Sequence, residues 1–190
     1  YEERLDLLRR IKGQEVFRIG INGILGNLNP RQISAQITFL AEATLDAAFK
    51  ISIKELTRVY GEPRGARFSI IGLGKLGGKE LVYGSDLDII FVYEDGGEGF
   101  TDGQRPISNH EFFVKLAQRV ISALTLRTRE GFAFNVDTRL RPSGSAGALV
   151  ISRDALIKYH GEKTRVWERQ AFTKARPVGG DLALGSEALK

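Results

Sequence analysis

Two aspartates, Asp86 and Asp88, stand one residue apart at the head of the apolar run Leu87-Asp88-Ile89-Ile90-Phe91-Val92-Tyr93. On a strand, alternate side chains share a face, so both carboxylates point the same way. Side by side they repel each other and desolvate poorly. A divalent cation resolves this, and Mg²⁺ favours a few carboxylates together with substrate phosphates. An acidic strand end open to water would be the plainer explanation. Just upstream, Gly72-Leu73-Gly74-Lys75-Leu76-Gly77 follows the short apolar run Phe68–Ile71. Its G-x-G-x-x-G form invites a dinucleotide reading. That reading fails on spacing, because such a fold places a helix of about ten residues or more between the glycine turn and the next strand. Here only residues 78–85 intervene, and Tyr83-Gly84-Ser85 reads as a turn. The spacing fits a glycine-rich phosphate cradle that leads almost directly into Asp-x-Asp.

A two-metal site usually needs a third carboxylate. Asp137 is the best candidate, at the end of Phe132-Ala133-Phe134-Asn135-Val136 and at the head of Asp137-Thr138-Arg139-Leu140-Arg141-Pro142. If that stretch stays extended, Arg139 and Arg141 point towards the face that carries Asp137. Guanidinium forks suit triphosphate. A turn carboxylate followed by two solvated arginines would explain the same residues more simply. Ser143-Gly144-Ser145-Ala146-Gly147 forms a second small-residue loop beside them. Trp167, Lys174 and Arg176 are placed on a last helix, Trp167 in the core and the two cations facing either phosphate or solvent. His110 belongs to a first helical turn and His160 to the surface, and neither has a partner at metal spacing.

The elements that must position these residues follow from periodicity. Leu5, Leu7, Leu8 and Ile11 give an apolar helical stripe, followed by Val16, Phe17 and Ile19–Ile21. Asn29-Pro30 opens a second helix, with Asn as cap and Pro at the first position, and Gly61 and Pro63 end it. Strands are expected at 68–72, 86–93, 132–136 and 149–151, with a flexible loop over 94–104. Ser108-Asn109-His110-Glu111 is a capping box for the helix through Phe113, Leu116, Val120 and Leu124. Ser152 caps the last helical stretch. The fold class is α+β, a small mixed sheet preceded by a helical segment over 1–61, with the sheet domain over 62–190.

The 190 residues are 42% hydrophobic and 27% charged, which suits a globular domain and excludes disordered and fibrous classes. No apolar run approaches the ~20 residues of a membrane helix, so no membrane partner is expected. The absence of Cys removes disulfides, thiolate zinc sites and cysteine nucleophiles, and fits a reducing, cytoplasmic setting. Because the sequence begins at Tyr1 and lacks Met, it reads as a piece of a longer chain. The net charge is +5. Residues 127–176 carry eleven basic and five acidic side chains, a surplus that attracts phosphate.

Together, Gly72-Leu73-Gly74-Lys75-Leu76-Gly77-Gly78-Lys79-Glu80-Leu81, Ser85-Asp86-Leu87-Asp88 and Val136-Asp137-Thr138-Arg139-Leu140-Arg141-Pro142-Ser143-Gly144 resemble the DNA polymerase β-like nucleotidyltransferases. Within them the chain is similar to the glutamate–ammonia-ligase adenylyltransferase family. Trp167-Glu168-Arg169-Gln170-Ala171, Lys174-Ala175-Arg176-Pro177-Val178 and the helical lead Leu7–Lys12 extend the likeness over nearly the whole sequence. The resemblance implies a polymerase β-like fold and AMP transfer from ATP to a tyrosine of glutamine synthetase. It also implies Mg²⁺, or Mn²⁺ in its place, held by Asp86, Asp88 and Asp137. Lys75, Arg139 and Arg141 would steady the phosphates, and Gly74, Gly77, Gly78 and Ser85 would supply backbone and hydroxyl donors to them, with the PII protein as a further partner. Such enzymes carry two domains of this kind. Ser85–Asp88 and Arg141–Gly144 look more like the adenylylating than the phosphorolytic, deadenylylating half. A stand-alone enzyme with a different protein target would carry the same motifs. So would a non-catalytic domain that binds nucleotide or regulator, although the intact set of Asp86, Asp88 and Asp137 argues against it. A template-dependent polymerase is disfavoured, since no nucleic-acid-binding module is visible.

Overall fold

The computed structural model describes residues 1–96, 99–162 and 166–190. Two long helices come first, α1 (Glu2–Ile24) and α2 (Pro30–Tyr60). Asn29 caps α2 by accepting from the backbone N–H of Gln32, and the Gln32 side chain accepts from the backbone N–H of Asn29 in return. Gly61 ends α2 at φ +81°, where a Cβ would strike Gly103 and Asp102. The remaining elements are β1 (Ala66–Gly72), the single turn α3 (Gly74–Gly77), β2 (Leu87–Asp95), α4 (Asn109–Thr125), β3 (Val136–Asp137) and β4 (Val150–Ser152). They are followed by α5 (Arg153–Glu162), α6 (Val166–Phe172), β5 (Arg176–Gly180) and α7 (Leu182–Glu187).

The five strands form one mixed sheet. β1 lies antiparallel between β2 and β5, while the far edge of β2 pairs in parallel with β3 at its start and β4 further along. Both faces are covered, which is why β1 and β2 read as unbroken apolar runs rather than alternations. Phe68, Ile70, Ile89 and Phe91 face α1, α2 and α4 in the larger core. Ile71, Ile90 and Val92 face Leu156 of α5 and Ala188 just past α7 in a smaller one. The helices of 1–61 share the larger core with the sheet, through Leu5, Ile19, Leu40, Leu45 and Leu56. With seven α-helices and five strands among the described residues, the class is α+β, as expected.

Several local expectations are corrected. β2 begins at Leu87, so Asp86 lies just ahead of the ladder. The third strand shrinks from 132–136 to Val136–Asp137, because the N–H groups of Ala133 and Phe134 donate instead to Leu124 O at the end of α4. The loop expected at 94–104 gives Glu94 and Asp95 to β2, and its Thr101 and Asp102 are tied to Pro63, Glu62 and Arg64. Only the Ser108 half of the expected capping box is seen, its hydroxyl accepting from Glu111 N–H. The last helical stretch is two helices and ends at Phe172, so Lys174 falls in a turn and Arg176 opens a strand. The Trp167 side chain, expected in the core, lies outside the described residues. His160 is half-buried rather than on the surface, its ring 4.2 Å from that of Phe172.

Candidate active site

The site lies where β1 ends and β2 begins. Leaving β1, the backbone N–H of Leu73 donates to Asp88 O (2.8 Å), stitching the glycine turn to the aspartate strand. Gly74 has φ +51°, and a Cβ there would come within 2.5 Å of Asp88 Oδ2, so only glycine lets the turn pass the carboxylate this closely. The chain then makes the single turn α3, whose opening N–H groups have no carbonyl four residues earlier to bond. Gly77 is required for packing: a Cβ there would sit 2.2 Å from Lys174 O and 2.8 Å from Gly72 O. A Cβ at Gly78 would meet Lys174 Cδ at 2.8 Å. Lys75 is exposed above the turn. The Ser85 hydroxyl accepts from Val82 N–H (3.1 Å), closing the turn that delivers Asp86.

Asp88 and Asp137 are brought side by side by the parallel β2–β3 pairing, which places Leu87 opposite Val136 and Asp88 opposite Asp137. Burial pushes the Asp88 carboxyl above the usual carboxylate range, and the negative charges of Asp137 and Asp86 add to it, with Lys75 and Arg139 opposing. The three candidate carboxylates therefore share one electrostatic neighbourhood. Asp86 is exposed, and Asp88 and Asp137 are half-buried.

The two arginines depart from the expected geometry. The chain turns at 139–140 instead of staying extended, with Arg141 N–H donating to Thr138 O. Arg139 folds back on Asp137: its Nε donates to both carboxylate oxygens at 3.0 Å, its terminal nitrogen to Oδ2 at 2.6 Å, and its backbone N–H to Oδ1 at 2.8 Å. This ion pair holds the Asp137 carboxyl below the usual range. Arg141 is spent on its own loop, donating to Thr138 O and Oγ1, Gly147 O and Ser145 O. It buttresses the Ser143–Gly147 loop.

Glu42 and Arg176 complete the frame, and nothing in their local sequence marks Glu42. Arg176 donates from Nε to Gly77 O (2.9 Å) and from a terminal nitrogen to Leu76 O (3.0 Å), and that nitrogen also pairs with Glu42 of α2. One guanidinium thus ties the glycine turn to the N-terminal helices. Lys174 pairs with Glu80 at 2.7 Å on the outside of the same turn.

Three carboxylates are a hard-oxygen donor set, and Asp88 is pushed upward first by burial and then by its acidic neighbours. Among the described residues no three acidic, imidazole or thiol groups converge at ligating distance, and Asp137 is turned to Arg139. Carboxylate oxygens are of the type that suits a divalent cation, and in this structure Asp137 is paired with Arg139.

A mixed sheet whose central strands meet at a glycine turn, with carboxylates gathered on the adjoining strand ends, has the form of an α+β nucleotidyltransferase domain. The sequence model of the glutamate-ammonia ligase adenylyltransferase family matches residues 1–190, and the chain belongs to that family. It is accordingly an enzyme domain, a nucleotidyltransferase acting on glutamine synthetase. Among the described residues no helix is long and apolar enough to cross a membrane.

Proposed function

We propose that this chain adenylylates glutamine synthetase, transferring AMP from ATP to a tyrosine hydroxyl in the cytoplasm. The observation that carries the reading is the register of Asp88 with Asp137 beside a glycine turn that only glycine can thread. Asp86, Asp88 and Asp137 would hold Mg²⁺, or Mn²⁺ in its place, and a divalent cation there would draw charge off the phosphates. The backbone N–H groups that open the turn, from Gly74 to Leu76, and the ammonium of Lys75 would meet the triphosphate, whereas the N–H groups of Gly77 and Gly78, also expected as donors, are held by Leu73 O and Gly74 O. The tyrosine oxygen bonds to the α-phosphorus as the bond to the bridging oxygen breaks. Pyrophosphate leaves with that electron pair, and the phenolic proton passes to solvent. Asp137 orients the hydroxyl, and Arg139, released from Asp137, turns to the phosphates. Arg141 acts by holding the Ser143–Gly147 loop beside them.

The direction rests on Ser85–Asp88 and Arg141–Gly144, which resemble the adenylylating half. Glutamine synthetase incubated with the chain, α-labelled ATP and Mg²⁺ should acquire label. Release of ADP from adenylylated synthetase and phosphate, without the forward reaction, would assign the deadenylylating half. Adding PII and repeating both assays tests that partner.

A further inference from the structure

Between α1 and the two turns that lead into β2 and β3 lies a pocket of about 110 Å³. Its walls include Lys12, Val16, Tyr83, Ser85, Phe134 and Asn135. Ser85 immediately precedes Asp86, and Asn135 stands two residues before Asp137, so the pocket is walled by the segments that lead into the carboxylates. It is smaller than the roughly 300–1,000 Å³ of cavities that take drug-sized ligands. A single aromatic ring suits it, and a nucleotide does not.

Lys12 gives the pocket its chemistry. The side chain is half-buried, and no carboxylate among the described residues pairs with it. Its ammonium lies 4.9 Å from the centroid of the Phe134 ring and 5.8 Å from that of Phe132. Ring faces attract a cation but leave its N–H donors unfilled. Burial lowers the lysine pKa, the direction expected where no anion compensates. A flat, apolar group with an electron-rich oxygen at one end would complete this environment.

We propose that this pocket seats the ring of the tyrosine on the protein substrate, with Lys12 as a positioning residue that donates to its phenolic oxygen. The proposal rests on the reading above that a tyrosine hydroxyl carries the AMP, and it holds for either direction, since the same ring is present before and after transfer. Lys12 would act on the protein substrate, and the glycine turn on the nucleotide.

Steady-state kinetics of Lys12→Met and Lys12→Arg, with synthetase and ATP varied separately, test it. Lys12→Met should raise the KM for glutamine synthetase about ten-fold, the scale of a lost hydrogen bond to a charged group. The KM for ATP should stay within about two-fold, well under that scale, and Lys12→Arg should recover most of the loss. Thermal melting of Lys12→Met should match or exceed wild type, because an uncompensated cation leaves the interior. Unchanged kinetics, or a raised ATP KM with the synthetase KM untouched, would overturn the proposal. Should wild type transfer AMP in neither direction, the functional reading fails by itself, and equilibrium binding of labelled synthetase then decides the pocket. Weaker binding to Lys12→Met, erased when the target tyrosine is replaced by Phe, supports it, and equal binding refutes it.

Discussion

Asp88 bears the electrostatic load of the site, with carboxylates on both sides and only Lys75 and Arg139 opposing them. Asp88→Asn should therefore cut AMP transfer by about 100-fold or more, since a bound cation contributes several kcal/mol and each 1.36 kcal/mol is tenfold. The same substitution relieves like-charge repulsion, so its melting temperature should equal or exceed that of wild type. A lower melting point would mean that the carboxylate is structural. The Asp-x-Asp spacing drew attention to this pair, but strand alternation does not relate them, because β2 begins only at Leu87. The relation of Asp88 to Asp137 was not legible in the same way, since it depends on parallel pairing across the whole of α4. Arg139 misled for a physical reason: an aspartate followed two residues later by arginine can close on itself at a turn, and Asp137 accepts both the backbone and the side chain of Arg139.

Among the elements, the glycine turn depends on a strand that the sequence hides. Arg176-Pro177-Val178-Gly179-Gly180 carries one Pro and two Gly, so it lacks any strand pattern, yet it pairs with β1 as an edge strand, where Pro is tolerated. That edge brings Arg176 under the turn. Arg176→Lys keeps the charge but loses the planar fork. We expect the KM for ATP to rise on the order of ten-fold, one charge-assisted hydrogen bond, with a smaller fall in kcat. Equal losses in both would point to global damage instead. Beyond β5, α7 is tied back by Arg67, which donates to Glu94 (2.7 Å) and to Glu187 (2.8 Å), with Arg153 pairing to both acids. Hydrogen bonding to Arg67 holds the Glu187 carboxyl below its usual value. A depressed carboxylate contributes stability above its unfolded pKa and loses it as pH falls through the folded one. Glu187→Gln should melt below wild type at neutral pH, with the gap closing as pH drops through and below the usual glutamate range near ~4.3. A gap independent of pH would exclude the ion pair as its cause.

At the scale of the whole molecule, the helices of 1–61 and the sheet share one apolar cluster. Leu40, Ala41, Leu45 and Leu56 are buried there, each with at most 9% exposure. Burial of one large aliphatic side chain contributes about 1.5–3 kcal/mol, and a domain is stable by only about 5–15 kcal/mol. Residues 62–190 produced alone should therefore show no cooperative melting transition, and adding a separate 1–61 peptide should restore one. A sharp transition in 62–190 by itself would establish that segment as an independent domain. The stripes on α1 and α2 marked helices to be covered, but their partner was illegible, because periodicity names a face and not what meets it.

The pairing of β1 with β5 also has a consequence in time. Residues 69–72 find their partners only at 176–180, more than a hundred positions later. Contacts so distant along the chain close slowly, after local helices and hairpins have formed. During synthesis α1, α2 and the β1–β2 hairpin emerge while the carbonyls of Leu76 and Gly77 still lack the guanidinium that will hold them. The glycine turn is thus among the last features to be set, and on the proposed function a nascent chain halted before Arg176 should carry the carboxylates yet capture no ATP.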